Sequence, residues 1–172
     1  MSENILRGAI QKVATGPEFS KNISEEDSYN SMLDILGSDV DSVQAAIYLI
    51  ALRMKRETMD ENIGSLKALI DKSNIITSSV DEVIDIAEPY NGFLRNTPMS
   101  AFLPAVFSSV GLPCVTHGVE TVGPKFGLTI KKILKTAGIN VDQDVESAAN
   151  ALSTQNLGWA YIDQEKFCQP LY

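Results

Sequence analysis

One stretch, residues 83–127, concentrates the side chains that could hold an anionic ligand. Asn91, Gly92, Arg95, Thr97 and Ser100 follow a short β-branched run, and His117, Gly118 and Lys125 follow a second. Asn91 and Gly92 tolerate positive φ, which makes them turn formers first and allows a backbone to approach a ligand second. Arg95 followed by Thr97 could place a guanidinium and helix N–H groups on a phosphate, or Arg95 is simply solvated. His117 reads either as a ligand contact or as a histidine that satisfies loop carbonyls. Lys125 is a candidate for anion contact beside the second loop. Asp85 and Glu120 have no partner carboxylate at a readable spacing, so a paired-acid mechanism finds no support. With His117 alone and only Cys114 and Cys168, there is no Cys/His zinc set, and a reducing compartment is the default.

The elements around these residues predict an open parallel sheet, whose ligands bind at loops on the carboxyl ends of strands. VIDIA (83–87) reads as a strand, and Pro89 prevents its extension as a central strand. Thr97-Pro98 supplies an N-cap and first helical residue, with Phe102, Leu103, Val106, Phe107 and Val110 as the apolar face. Pro104 conflicts with that helix, so it is kinked there or starts near Pro104. A second strand runs from Pro113 and ends in Thr116-His117-Gly118. Phe126–Ala137 is expected to be a helix with Ile130, Ile133, Leu134 and Ala137 inward. Lys131, Lys132 and Lys135 then face outward, as a solvated face rather than a nucleic-acid patch. Asp142 is expected to cap a helix over 143–152, and residues 158–162 form a third strand. Phe102, Phe107 and Trp159 are expected in the core. Three parallel strands make a thin sheet, and such sheets need both faces covered; the chain is therefore expected to be the N-terminal part of something longer, truncated at its C-terminus.

Upstream, periodicity predicts four helices. The first covers 4–14. The second, 25–36, is capped by Ser24 and presents Met32, Leu33 and Leu36, with Gly37 at positive φ beyond it. Ser38 and Asp39 supply the next cap oxygen. The third helix, 40–56, carries Val43, Ala46, Ile47, Ile50 and Met54 as one stripe, while Tyr48, Leu49, Ala51 and Leu52 make it apolar nearly all round. Its second side is expected to meet another subunit or the neighbouring domain. Thr58-x-x-Glu61 is a capping box opening a fourth helix, 59–72, with Ile63, Leu66 and Ile70 inward.

The 172 residues hold 14 basic and 22 acidic side chains, a net charge of −8. Residues 1–90 carry 8 basic and 16 acidic groups, but 91–135 carry 5 basic against Glu120 alone. The two loops are thus locally positive, which suits an anionic partner. No apolar run approaches a membrane span of roughly 20 residues. The early acid in MSENILRGAIQKV argues against a secretory signal or an organelle transit peptide. A cytoplasmic location is expected; a plastid one would need a longer N-terminus.

ILRG, SDVDSVQAAIYLIALRMKRET, VDEVIDI, THG, KFG…ILKTAGINVD and LGWAYID occur in the order found in the anthranilate phosphoribosyltransferase family, glycosyltransferase family 3, which the chain resembles over essentially its whole length. The resemblance implies an α/β fold class: a small N-terminal helical domain (1–74), commonly a homodimerisation unit, followed by an incomplete parallel-sheet α/β domain (80–172). It implies phosphoribosyl pyrophosphate, with magnesium, as donor and the nitrogen of anthranilate as acceptor, in tryptophan synthesis, at a cleft between the domains. In an active member, Arg95, the helix start at 97–100 and Lys125 would hold phosphate, with His117 near the acceptor. The family's GTGGDG loop is replaced by Ala87, Glu88, Pro89, Tyr90, Asn91 and Gly92. Its K-H-G-N-R becomes Thr116, His117, Gly118, Val119 and Glu120. The acidic pair that holds magnesium in the family falls beyond Tyr172, and no other metal site is evident. The PYNG-x-x-R loop is similar to a divergent branch lacking the glycine loop, some members of which are associated with nucleic-acid binding. The alternative to transfer chemistry is therefore a non-catalytic binding protein.

Overall fold

A computed structural model describes residues 5–88, 92–153 and 157–171. They divide into two compact units, one up to Ser73 and the other from Asn74 to Pro170.

The first unit is built from α1 (Ile5–Val13), α2 (Glu25–Ile35), α3 (Ser42–Lys55) and α4 (Met59–Asp71). Leu6, Ala9, Val13, Ile23, Tyr48 and Leu52 form its core. Ser24 caps α2 through Asp27 N at 3.0 Å. The cap of α3 is Asp41, whose Oδ1 accepts from Val43 N and Gln44 N at 2.9 Å each, instead of Ser38 or Asp39. Gly37 is not in the left-handed region; that conformation falls on Arg56, the C-cap of α3, at φ 69°.

The inward face of α4 also differs from expectation. Leu66 and Ile70 are exposed, and Glu61, Gly64 and Ala68 are the buried residues. A Cβ on Gly64 would lie 2.3 Å from the Glu25 carbonyl oxygen, so α2 and α4 approach too closely for large side chains between them. Glu61 completes the capping box with Thr58. Its carboxylate also accepts from Ile23 N at 2.9 Å and Lys55 Nζ at 2.7 Å. Burial by itself would raise the Glu61 pKa, but Lys55 and the Thr58 and Ile23 N–H groups outweigh it and hold the carboxyl below its usual range. On α3, Tyr48 and Leu52 point inward, while Val43, Ile47, Ile50 and Met54 are exposed in the isolated chain.

The second unit carries three parallel strands in the order β1-β2-β3: β1 (Ile84–Ala87), β2 (Cys114–Gly118) and β3 (Trp159–Asp163). Ala87 aligns with His117 and His117 with Ile162, so the strand ends share one edge of the sheet. Between the strands lie α5 (Leu103–Ser109), α6 (Ile130–Thr136) and α7 (Val145–Ser153), and α8 (Gln164–Phe167) follows β3. Ala101, Ile130, Ile133, Leu134, Val141 and Tyr161 form the core. No helix among the described residues is long and apolar enough to cross a membrane.

Several element boundaries shift for local reasons. Thr97 makes no cap; a short 3-10 turn, Met99–Phe102, begins after Pro98, and α5 starts at Leu103 with Pro104 in its first turn. There a missing N–H costs no helical hydrogen bond, which resolves the Pro104 conflict in favour of a late start. Pro104 is buried, whereas Phe102, Leu103, Val106 and Val110 are exposed. Phe126 is no helix start: it has φ 51° and is exposed, and α6 begins after Thr129, whose Oγ1 accepts from Lys132 N. Ala137 is exposed at the end of α6. Asp144, not Asp142, receives Ser147 N at 2.8 Å at the start of α7.

Candidate functional site

The strand order brings the loops after β1 and β2 together. Gly92, buried at φ 96°, touches Gly127 so closely that a Cβ on Gly92 would lie 2.5 Å from the Gly127 carbonyl carbon. Beside this contact Phe93 N donates to Leu128 O at 2.8 Å and Leu128 N to Phe93 O at 2.9 Å. Two glycines are needed because any side chain there would force the loops apart. Lys132 Nζ donates to Gly127 O at 3.3 Å, tying the second loop to α6.

These loops enclose a cavity of about 200 Å³. Gly92, His117 and Gly118 line it, as do Glu88, Phe93 and Lys131. Ser100 reaches its rim indirectly, donating from Oγ to Glu88 Oε2 at 3.2 Å. Arg95, Thr97 and Lys125 are exposed and outside the lining. Asn91 lies outside the described residues. The expected constellation is therefore brought together in part, and Glu88 places a carboxylate where an anion cradle is expected.

His117 belongs to β2 itself. Its Nε2 is 3.3 Å from Asp85 Oδ1, and its ring meets Phe167 edge-on with centroids 5.7 Å apart. Its ligand-contact reading is thus joined by a partner on the adjacent strand. Burial pushes the Cys114 thiol up to about 11, with Asp85 adding to the shift, and both cysteines are free and buried. Such a thiol is a poor nucleophile.

Lys131 is the residue that sequence reasoning misplaced. It is buried, not solvated: Nζ lies 2.8 Å from Asp163 Oδ2 and 3.7 Å from Asp142 Oδ1. Burial by itself would lower its pKa, but the Asp163 carboxylate overrides this and raises it. The available signal was Asp163 closing the apolar run Trp159-Ala160-Tyr161-Ile162, a carboxylate that needs a buried cation. Lys135 is also engaged, with Nζ 3.4 Å from Glu120 Oε2. The positive patch counted along residues 91–135 is correspondingly reduced in space.

Among the described residues no group of three or more His, Cys, Asp or Glu side chains is placed to hold a metal ion.

Residues 7–73 match the model of the glycosyl transferase family, helical bundle domain. Over 142 residues the chain is 30% identical to an anthranilate phosphoribosyltransferase of Methanothermobacter thermautotrophicus, covering 82% of this chain and 40% of that protein. It is 29% identical over 157 residues to that of Bacillus caldotenax, covering 91% and 62% respectively. These matches show family-level homology to the anthranilate phosphoribosyltransferases, at low identity and over part of their length. The solved enzyme from Thermus thermophilus superposes with a TM-score of 0.75 at 19% identity, covering 98% of this chain and 48% of that one. The Saccharomyces cerevisiae enzyme gives 0.67 at 19%, covering 99% and 47%. A helical bundle followed by a parallel-sheet α/β unit is the glycosyltransferase family 3 architecture. The chain spans about half the length of the relatives it matches.

Proposed function

We propose that this chain is a phosphoribosyltransferase-like protein whose strand-end cavity is an inherited site for a phosphate-bearing small molecule such as phosphoribosyl pyrophosphate, and that the chain does not efficiently transfer phosphoribose to anthranilate. The observation that carries the second part is Glu88. In place of glycine N–H donors it presents a carboxylate, held by Ser100, to any phosphate entering the cavity. Unit charges about 4 Å apart repel by roughly 1 to 4 kcal/mol at effective dielectrics between about 80 and 20. The cavity of about 200 Å³ is also smaller than the ~300–1,000 Å³ usual for small-molecule sites.

Gly92, His117 and Gly118 are the residues we assign to ligand contact in that site, with Ser100 positioned through Glu88. Arg95, Thr97 and Lys125 would contact only the outer part of a longer ligand. The engagement of Lys131, Lys132 and Lys135 within the fold supports a small molecule over nucleic acid.

The first unit is proposed as a homodimerisation domain. Val43, Ile47, Ile50 and Met54 line a groove of about 590 Å³ on α3, an apolar surface of the kind that marks protein interfaces.

The transfer reading is tested by anthranilate fluorescence with phosphoribosyl pyrophosphate and magnesium. The expected result is no loss of fluorescence beyond the protein-free control; steady turnover would overturn the proposal.

A further inference from the structure

A second and larger cavity, of about 390 Å³, lies between α7 and the strands of the second unit. It falls within the ~300–1,000 Å³ typical of small-molecule sites, which the strand-end cavity does not. Ile75, Ile76, Val115, Leu152, Ile162 and Phe167 make its walls apolar. At its polar side stand Asp85 and His117, and no Lys or Arg is among the described lining residues.

The electrostatics of this cavity have one sign. The Asp85 side chain is 56% exposed, so its carboxylate is accessible although His117 Nε2 lies 3.3 Å away. At the rim, Asn74 Nδ2 donates to Glu146 Oε1 at 3.3 Å, which brings a second carboxylate near the opening. The walls also contain two buried atoms, Ser78 Oγ and His117 Nδ1, that have no hydrogen-bond partner among the described residues. Buried polar atoms are nearly always paired, so two orphans in one cavity lining mark hydrogen bonding completed by something other than the described residues.

We propose that this cavity binds a small apolar amine, with its ammonium group at Asp85 and its hydrocarbon or aromatic body against Ile76, Leu152 and Phe167. An amine gains from both the apolar walls and the carboxylate. A carboxylate of the same shape gains only from the walls and is repelled by Asp85. His117 lines both cavities, but the amine site rests on Asp85 and the apolar walls and does not depend on the phosphate reading of the strand-end cavity.

The test titrates the full chain with phenethylamine and, separately, with hydrocinnamate, which has a similar body and the opposite charge. Binding is read from NMR shifts of the Ile76 and Leu152 methyl groups and the His117 ring. The expected result is a phenethylamine dissociation constant of about 1 mM or tighter. Hydrocinnamate binds at least about tenfold more weakly. Asp85→Asn weakens phenethylamine about tenfold while leaving the fold intact, because the side chain is exposed. Ala149→Trp, which fills the cavity, abolishes the shifts. Equal binding of the two probes, unchanged affinity in Asp85→Asn, or no shifts up to about 10 mM phenethylamine would overturn the proposal.

Discussion

Both units bury a lysine–carboxylate pair, and the pairs are built in opposite ways. Lys55 and Glu61 are six residues apart and meet at 2.7 Å. The Glu61 carboxylate also receives backbone N–H groups from Thr58 and Ile23, so its oxygens are well occupied. Lys131 and Asp163 are 32 residues apart, join α6 to β3 and meet at 2.8 Å. There, among the described residues, Asp163 Oδ1 has only the long 3.4 Å bond from Glu165 N besides the lysine on Oδ2. A buried charge is tolerable to the extent that its hydrogen-bonding capacity is filled. Glu61 is therefore the organiser of its unit, whereas Lys131–Asp163 is a strut that an apolar pair could replace.

Removing Glu61 should have the largest effect on stability. Glu61→Ala strands Lys55 and two backbone donors and is expected to cost the helical unit about 4 kcal/mol in urea denaturation followed by circular dichroism. Lys131→Met should cost the α/β unit about 3 kcal/mol, and adding Asp163→Leu should recover most of it. Failure of the double variant to recover would erase the proposed difference between the pairs.

The pairs should also separate by pH. The folded-state pKa of Glu61 is lowered, so its contribution is complete above the ordinary carboxylate value of about 4.3 and is lost as pH falls through the folded value. That of Lys131 is raised, so its contribution is complete below about 10.4 and is lost as pH rises through the folded value. Glu61→Gln should flatten the acid limb of the stability profile and Lys131→Met the alkaline limb. The smallest effect on folding is expected from Ile50→Glu on the α3 stripe, within about 0.5 kcal/mol. Its readout is sedimentation, where a dimer should become a monomer; an unchanged sedimentation coefficient would remove the α3 face as the interface.

The same contrast governs what could be read from sequence. The capping box declares itself because Thr58 and Glu61 are neighbours in a fixed spacing, and strands β1–β3 because their apolar runs are bounded by turn residues. The Lys131–Asp163 pair depends on a crossover that brings distant segments together, and Lys131 sits at the edge of an apolar helix face where it reads as solvated. The inward face of α4 was missed because α2 and α4 pack at Gly64, where small residues replace the usual large apolar ones. In the site, Gly92 and Gly118 were legible as backbone positions and His117 as a strand-end residue. The His117–Asp85 contact needs the register of two strands, which local pattern does not carry.

The proposed role of Glu88 is to oppose phosphate at the strand-end cavity. Calorimetric titration of phosphoribosyl pyrophosphate into the chain and into Glu88→Gly tests it directly. The expected result is weak binding that tightens about tenfold or more when the carboxylate is removed; tight binding by the unaltered chain, with no gain in Glu88→Gly, would contradict that role.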